Sequence, residues 1–177
     1  FNFLAASIIF IFGMCIGSFL NVCIYRLPTS KSIADPPRSI CPSCNSPIRF
    51  YDNIPVLSYV FLKGRCSACH AAISPRYPVV EFTTGLLSLA VAWHFGFGWQ
   101  AGAALLLTWA LIALSLIDFD HKLLPDSIVL PFLWAGLLLS LAGTFTDTHS
   151  AIVGAAAGYL TLWLVFQLFR LLTGKEG

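Results

Sequence analysis

Between residues 116 and 126 the sequence reads Leu-Ile-Asp-Phe-Asp-His-Lys-Leu-Leu-Pro-Asp, three carboxylates set between two long uncharged runs. Ionisable groups at the edge of segments too apolar to leave a bilayer commonly mark chemistry, transport or a conduction path. Acids that only cap and flank two spans joined by a short loop would look similar, so the detail of the stretch decides. Pro125 blocks continuation of the first helix, and Asp126 behind it suits the cap of the next. Asp118 ends the preceding run, where the helix dipole disfavours negative charge. It has no capping role there and is the catalytic candidate. Asp120, two residues on, points elsewhere on a helix and is expected to support the site at most.

The composition agrees with a membrane setting. Of 177 residues, 58% are hydrophobic and 10% charged, and the mean hydropathy is +0.82, which excludes an ordinary soluble domain. Uncharged stretches run from Phe1 to Tyr25, Phe82 to Ile117, Ser127 to Thr146 and Thr148 to Phe169. All but the second fit one span of about 20 residues. The second is 36 residues long, and its middle, His94-Phe-Gly-Phe-Gly-Trp-Gln100, has the glycines and aromatic residues of a tight interfacial turn. The expected fold is therefore an all-α polytopic membrane protein with about five transmembrane helices, at 3–25, 79–95, 101–117, 127–143 and 150–171.

The basic residues orient these spans. Arg26, Lys31, Arg38, Arg49, Lys63, Arg65 and Arg76 lie in the loop between spans one and two. With five alternating spans, Lys122, Arg170 and Lys175 fall on that same side, and the opposite loops, 96–100 and 144–149, hold no Lys or Arg. Such an excess marks the cytoplasmic side and puts Asp118, Asp120 and Asp126 at the cytoplasmic edge of the membrane. The start lacks the basic n-region and cleavage site of a removable signal peptide.

The loop from Arg26 to Pro78 is too short and too poor in apolar residues for a large core, yet it holds Cys41-Pro-Ser-Cys44 and Cys66-Ser-Ala-Cys69. Two CxxC pairs separated by 21 residues match a zinc-ribbon-like layout, each pair presenting two thiolates to a tetrahedral ion. Disulfides are disfavoured in the cytoplasm, and a redox role lacks the surrounding βαβ pattern. Cys41, Cys44, Cys66 and Cys69 are the expected zinc ligands. His70 is a substitute ligand that a four-cysteine set does not require. The metal is expected to supply most of the loop's stability.

Two small-xxx-small faces, Gly13-Met-Cys-Ile-Gly17 and Gly154-Ala-Ala-Ala-Gly158, read as helix packing surfaces. Cys15 and Cys23 read as small apolar fillers. Asn21, near the end of span one, reads as an amide bonded to a neighbouring helix.

Taken in order, Gly17-Ser-Phe-Leu-Asn-Val22 with Arg26-Leu-Pro28, the twin CxxC loop, Tyr77-Pro-Val-Val-Glu81 and Ile117-Asp-Phe-Asp-His-Lys-Leu-Leu-Pro-Asp126 resemble the bacterial type IV prepilin peptidases. The resemblance covers essentially the whole chain, and four motifs in this order and topology are highly specific. It implies a multi-pass inner-membrane enzyme with zinc and S-adenosylmethionine as cofactors. Such an enzyme cuts the leader of type IV prepilins and type II secretion pseudopilins after a glycine on the cytoplasmic side. It then methylates the new amino terminus. The peptidase is implied to be an aspartyl protease whose first carboxylate is Asp118. One carboxylate would deprotonate a water and the other polarise the scissile carbonyl, their proximity splitting their pKa values. The second aspartate belongs to a Gly-x-Gly-Asp motif expected beyond Gly177. Asp147 is expected on the opposite membrane face and Asp52 in the metal loop, so neither replaces it.

The resemblance alone suggests methylation, because no glycine-rich S-adenosylmethionine fingerprint is present. Glu81, with Asn21 nearby, is a candidate to hold the new ammonium group; pairing of Glu81 with a loop arginine such as Arg76 is the alternative. The implied organisation is a first transmembrane helix at 1–25, a cytoplasmic four-cysteine zinc loop at 26–78, and four helices of a truncated peptidase domain at 79–177. A chain that starts without Met and stops straight after a span is expected to be a fragment without peptidase activity of its own. The expected partners are prepilins, pseudopilins and the lipid bilayer, with no nucleic acid. A membrane scaffold with a partner-binding zinc ribbon is the competing class, and it has no use for Asp118. An ion-coupled transporter fits less well, since the acids gather at one edge and no span is broken at its middle.

Overall fold

Runs without charge become helices because a backbone in an apolar medium must bond its own N–H and C=O groups. In the computed structural model, which describes residues 2–29, 32 and 39–174, six helices follow in order. They are α1 (Phe3–Arg26), α2 (Leu57–Phe61), α3 (Arg76–Phe95), α4 (Trp99–His121), α5 (Asp126–Leu141) and α6 (Thr148–Thr173). Lys31, Arg38 and Lys175 of the charge argument lie outside the described residues, as does Gly177. No strand is formed among the described residues, only two isolated antiparallel bridges in the cysteine loop.

The five long helices fall on the five expected runs, with instructive differences. α1, continued to Thr29, α4 and α6 are long and apolar enough to cross a membrane. α5 has 16 residues and an internal Pro131, giving about 24 Å at 1.5 Å per residue against a hydrocarbon core of about 30 Å. α3 is long enough at 20 residues but buries Glu81, Thr84 and Ser88, which lowers its hydropathy. The turn between α3 and α4 forms where expected, closed by Gly96 at φ 71° with its N–H on Ala92 O at 3.0 Å. α4 runs four residues past its expected end and stops at Lys122, left-handed at φ 54° with its N–H on Asp118 O.

Residues up to Ile128 form one compact unit. α1, α3 and α4 enclose Leu20, Ile24, Val80, Ala113 and Ile117. The Gly13 and Gly17 face allows α1 to close on α3: a Cβ on Gly17 would lie 2.7 Å from Glu81 Cα, and one on Gly13 2.7 Å from Ser88 Oγ. Buried hydroxyls need partners in such a contact. Thr84 Oγ1 donates to Val80 O and Ser88 Oγ to Thr84 O, both at 2.7 Å. Trp109 Nε1 of α4 then donates to Ser88 Oγ at 2.9 Å, joining the third helix to the pair.

The second unit begins at Val129. Its turn is held by Thr144 Oγ1 donating to Leu139 O at 2.8 Å and Thr148 Oγ1 to Ser140 O at 3.2 Å. Asp147 caps α6 by accepting the Ser150 N–H at 2.9 Å. α6 buries none of its residues. The expectation that Gly154 and Gly158 serve packing is not met by the described residues, because a Cβ at either position would meet nothing within 4 Å.

Candidate functional site

The two CxxC pairs build nearly identical turns. Cys41 N–H donates to Ser46 O at 3.0 Å and Cys66 N–H to Ala71 O at 2.9 Å. Asn45 N–H returns to Cys41 O, and His70 N–H to Cys66 O. Each turn needs one left-handed residue, supplied by Asn45 at φ 55° and His70 at φ 58°. Each is closed by a bridge, Ile40 with Pro47 and Arg65 with Ala72. His70 is therefore the counterpart of Asn45, a turn residue four past the first cysteine, and the substitute-ligand idea loses its appeal.

The four Sγ atoms lie within 4.8 Å of one another, and Cys41 and Cys69 approach to 3.8 Å. A tetrahedral ion with Zn–S bonds of about 2.3 Å requires sulfurs about 3.8 Å apart, so the donor set fits a metal. Local bonds favour the thiolate at two of these cysteines and oppose it at Cys69, whose thiol, despite the lowering Ala71 N–H, is pushed up to about 11 by its bonds to Cys44 and Cys66. Ser46, through its side chain and then its backbone, draws the Cys44 thiol down to about 6, and the Cys69 and Ala68 N–H groups lower Cys66.

At the neighbouring ends of α1, α3 and α4 the polar candidates gather. Arg76, on the first turn of α3, forms an ion pair with Asp120 at 2.6 Å and reaches Leu116 O at 3.5 Å. A cation on the last turn of α4 offsets both the acids and the negative end of the helix dipole. Arg76 thus pairs with Asp120, and the alternative pairing with Glu81 does not form. Asp118 lies two residues before Asp120 with its side chain exposed, and its carboxylate has no hydrogen-bond partner among the described residues. Asp126 is the first residue of α5. It does not cap by its side chain among the described residues; its role is a favourable negative charge on the first turn.

Glu81 is 8% exposed and accepts the Val56 N–H at 2.7 Å. Val56 holds φ 61° and ψ −47°, and Leu57 N–H folds back to Pro55 O at 2.6 Å. This is the strained form of the γ-turn, unusual for a β-branched residue. Such backbone strain costs about 1–3 kcal/mol and persists only where the surroundings enforce it. The charge-assisted bond from Glu81 is one such restraint, and it ties the cysteine loop to α3. Asn21, also buried, donates to Tyr77 O at 3.2 Å and joins α1 to the same stretch of α3. A cleft of about 240 Å³ opens here, lined by Asn21, Tyr25, Arg76, Tyr77, Asp120 and His121. The sequence reading named Arg76 only as an alternative partner for Glu81 and did not foresee its pairing with Asp120, which joins residues 44 apart.

Residues 11–95 match the family described as Bacterial Peptidase A24 N-terminal domain, and residues 105–177 match the Type IV leader peptidase family. The chain is 51% identical over 189 residues to a prepilin leader peptidase/N-methyltransferase of Stutzerimonas stutzeri, with 94% of this chain and 65% of that protein covered. A protein of the same description from Pseudomonas aeruginosa is 52% identical, covering 93% of this chain and 64% of the relative. For one from Aeromonas hydrophila the values are 49%, 97% and 67%. The chain thus spans about two thirds of the length of these curated relatives. No solved structure matches it. With both halves of the sequence matched in order and half of the aligned residues identical, the chain belongs to the type IV leader peptidase family.

Proposed function

We propose that this chain supplies one carboxylate and the substrate-facing cleft of a membrane aspartyl endopeptidase. In this reading the enzyme removes the leader of type IV prepilins and type II secretion pseudopilins after a glycine, at the cytoplasmic edge of the inner membrane. The observation that carries it is the division of labour at the end of α4: Arg76 engages Asp120, leaving the Asp118 carboxylate two residues away exposed and unpaired among the described residues. A scaffold would have no use for such an acid.

Asp118 would hold or accept a proton at its carboxylate oxygen while a second carboxylate takes the complementary role, since two adjacent acids ionise in separate steps. The resemblance assigns that second role to the aspartate of a Gly-x-Gly-Asp motif, which residues 1–177 do not contain. The domain reading follows: a helix at 1–25, a cytoplasmic metal loop at 26–78 and peptidase helices from 79 onward. Cys41, Cys44, Cys66 and Cys69 hold zinc, which supplies structure and no chemistry to the cleavage.

N-methylation, using S-adenosylmethionine as methyl donor, is the second activity we assign. Glu81 and Asn21 serve it by fixing the backbone at Val56 and Tyr77, the groups that they bond. Asp118→Asn in the full-length enzyme is expected to abolish leader cleavage of a prepilin while the protein still inserts and accumulates; normal processing by that variant sinks the assignment. Glu81→Ala, assayed on pilin already cleaved, is expected to impair methylation, and full activity removes Glu81 from this role.

A further inference from the structure

The segment between the two cysteine turns has an outward face that the function described so far does not use. In α2, Leu57, Val60 and Phe61 share one side by helical spacing, and all three are exposed. The opposite side is occupied: the Tyr59 ring lies against Gly64, whose added Cβ would be 2.9 Å from the Tyr59 hydroxyl. Phe50, on the 3-10 turn Phe50–Asn53 just before α2, is 87% exposed, and Phe61 is 81% exposed. In a freely hydrated zinc loop this polarity is reversed. Apolar side chains of this size turned outward on so small a structure mark a contact surface.

The tether from Glu81 identifies the occupant. Glu81 sits five residues into α3, about 7.5 Å from its start at 1.5 Å per residue, and its carboxylate holds the Val56 N–H at 2.7 Å. Val56 immediately precedes α2, so α2 is held level with the point where α3 enters the expected span at 79–95. Val79 and Phe82, on either side of Glu81 in sequence, are themselves exposed apolar residues. Arg49 and Lys63 bracket the apolar segment at its two ends, both exposed, the Arg49 guanidinium also donating to the Tyr51 hydroxyl and lying 5.8 Å from the centre of that ring. Long cationic side chains can reach phosphate groups while their neighbours enter the acyl boundary. The one acid between them, Asp52, accepts from Ser67 Oγ at 2.8 Å.

We infer that Phe50, Leu57, Val60 and Phe61 rest in the interfacial layer of the bilayer, so that the metal loop lies on the lipid surface and does not project from it. The inference rests on the membrane enzyme proposed above, with α3 as its expected span at 79–95. The Glu81 bond and the strained turn at Val56 then serve to press α2 against the lipid, which limits how far the loop can lift from the site beside Asp118.

The test places a photoreactive phenylalanine analogue, one position at a time, in the full-length protein reconstituted in vesicles of phosphatidylethanolamine and phosphatidylglycerol. Lipid adducts are then read by mass spectrometry. Positions 50 and 61 probe the outward face, position 59 the opposite face of the same helix, and positions 8 and 86 the spans α1 and α3. Positions 50 and 61 are expected to give about tenfold more lipid adduct than position 59, the gain of burying one large apolar side chain. Labelling at 8 and 86 with none at 50 and 61, or equal labelling at 59 and 61, overturns the lipid surface and leaves the membrane reading intact. No labelling at any position overturns the membrane reading and the inference together.

Discussion

The two glycine stripes of this chain are alike in sequence and unlike in use. Gly13 and Gly17 allow α1 to meet α3 so closely that one added carbon would fall 2.7 Å from a neighbouring backbone or hydroxyl atom, whereas Gly154 and Gly158 on α6 meet nothing within 4 Å. A small-xxx-small pattern is therefore a permission for close approach, not evidence of it. Where the permission is used, it brings polar groups into the contact. Ser88 bonds Thr84 O and receives the Trp109 N–H, and Asn21 bonds Tyr77 O. The helices that present these groups also carry Glu81, Arg76 and Asp120. The close contact at Gly17 touches Glu81 Cα itself, so the packing of α1 on α3 and the placement of the candidate site are one arrangement.

The sharpest way to break this contrast is Gly17→Val, which drives a branched side chain into the Glu81 backbone. It is expected to cost about 3 kcal/mol, the upper range for overpacking, read as a large fall in thermal stability in detergent. A neutral result would mean that α1 and α3 do not pack as described. Trp109→Phe removes the donor to Ser88 and alters the edge contact with Phe12, whose ring centroid lies 5.9 Å away. A loss of about 1.5 kcal/mol is expected in the same assay.

On the other side of the comparison, Gly154→Ala and Gly158→Ala are each expected to stabilise α6 by about 0.5 kcal/mol through helix propensity. Destabilisation by either would reveal a partner on that face. The smallest effect is the pH response of the α6 cap. The Ser150 N–H holds the Asp147 carboxyl below its ordinary value of 3.8. A depressed folded-state pKa means that the cap contributes fully above that value and is lost as pH falls through the lower, folded one. The protection factor of the Ser150 amide should therefore be flat from neutrality down to about pH 4 and fall below it. A drop beginning nearer pH 6 would show that another group governs this turn.

How much of this was legible in the sequence depended on the range of the interaction. The four-cysteine cluster was readable because a CxxC turn is local, set by the backbone bonds between Cys41 and Ser46 and between Cys66 and Ala71. The five long helices were readable because apolar runs must satisfy their own backbone. Their ends were less so: α4 extends to His121 because Lys122 adopts a left-handed turn, a choice that hydropathy does not record. The link between Arg76 and Asp120 joins residues 44 apart, and no periodicity predicts which cation will stand beside an acid after three helices have packed.

The sequence by itself determined the class of molecule, the family, the four-cysteine donor set and the position of Asp118 at the edge of an apolar run. The family follows from the resemblance of four motifs taken in order, and the rest from composition or from residues a few positions apart. Only the tertiary structure decided that Arg76 takes Asp120 and leaves Asp118 unpaired among the described residues, that Glu81 holds a strained Val56 and no arginine, and that one glycine stripe is a contact while the other is open. The physical reason is common to all three. A charge, a buried carboxylate or a missing Cβ creates a requirement that several residues in the chain can satisfy, and geometry selects among them only when the helices have come together.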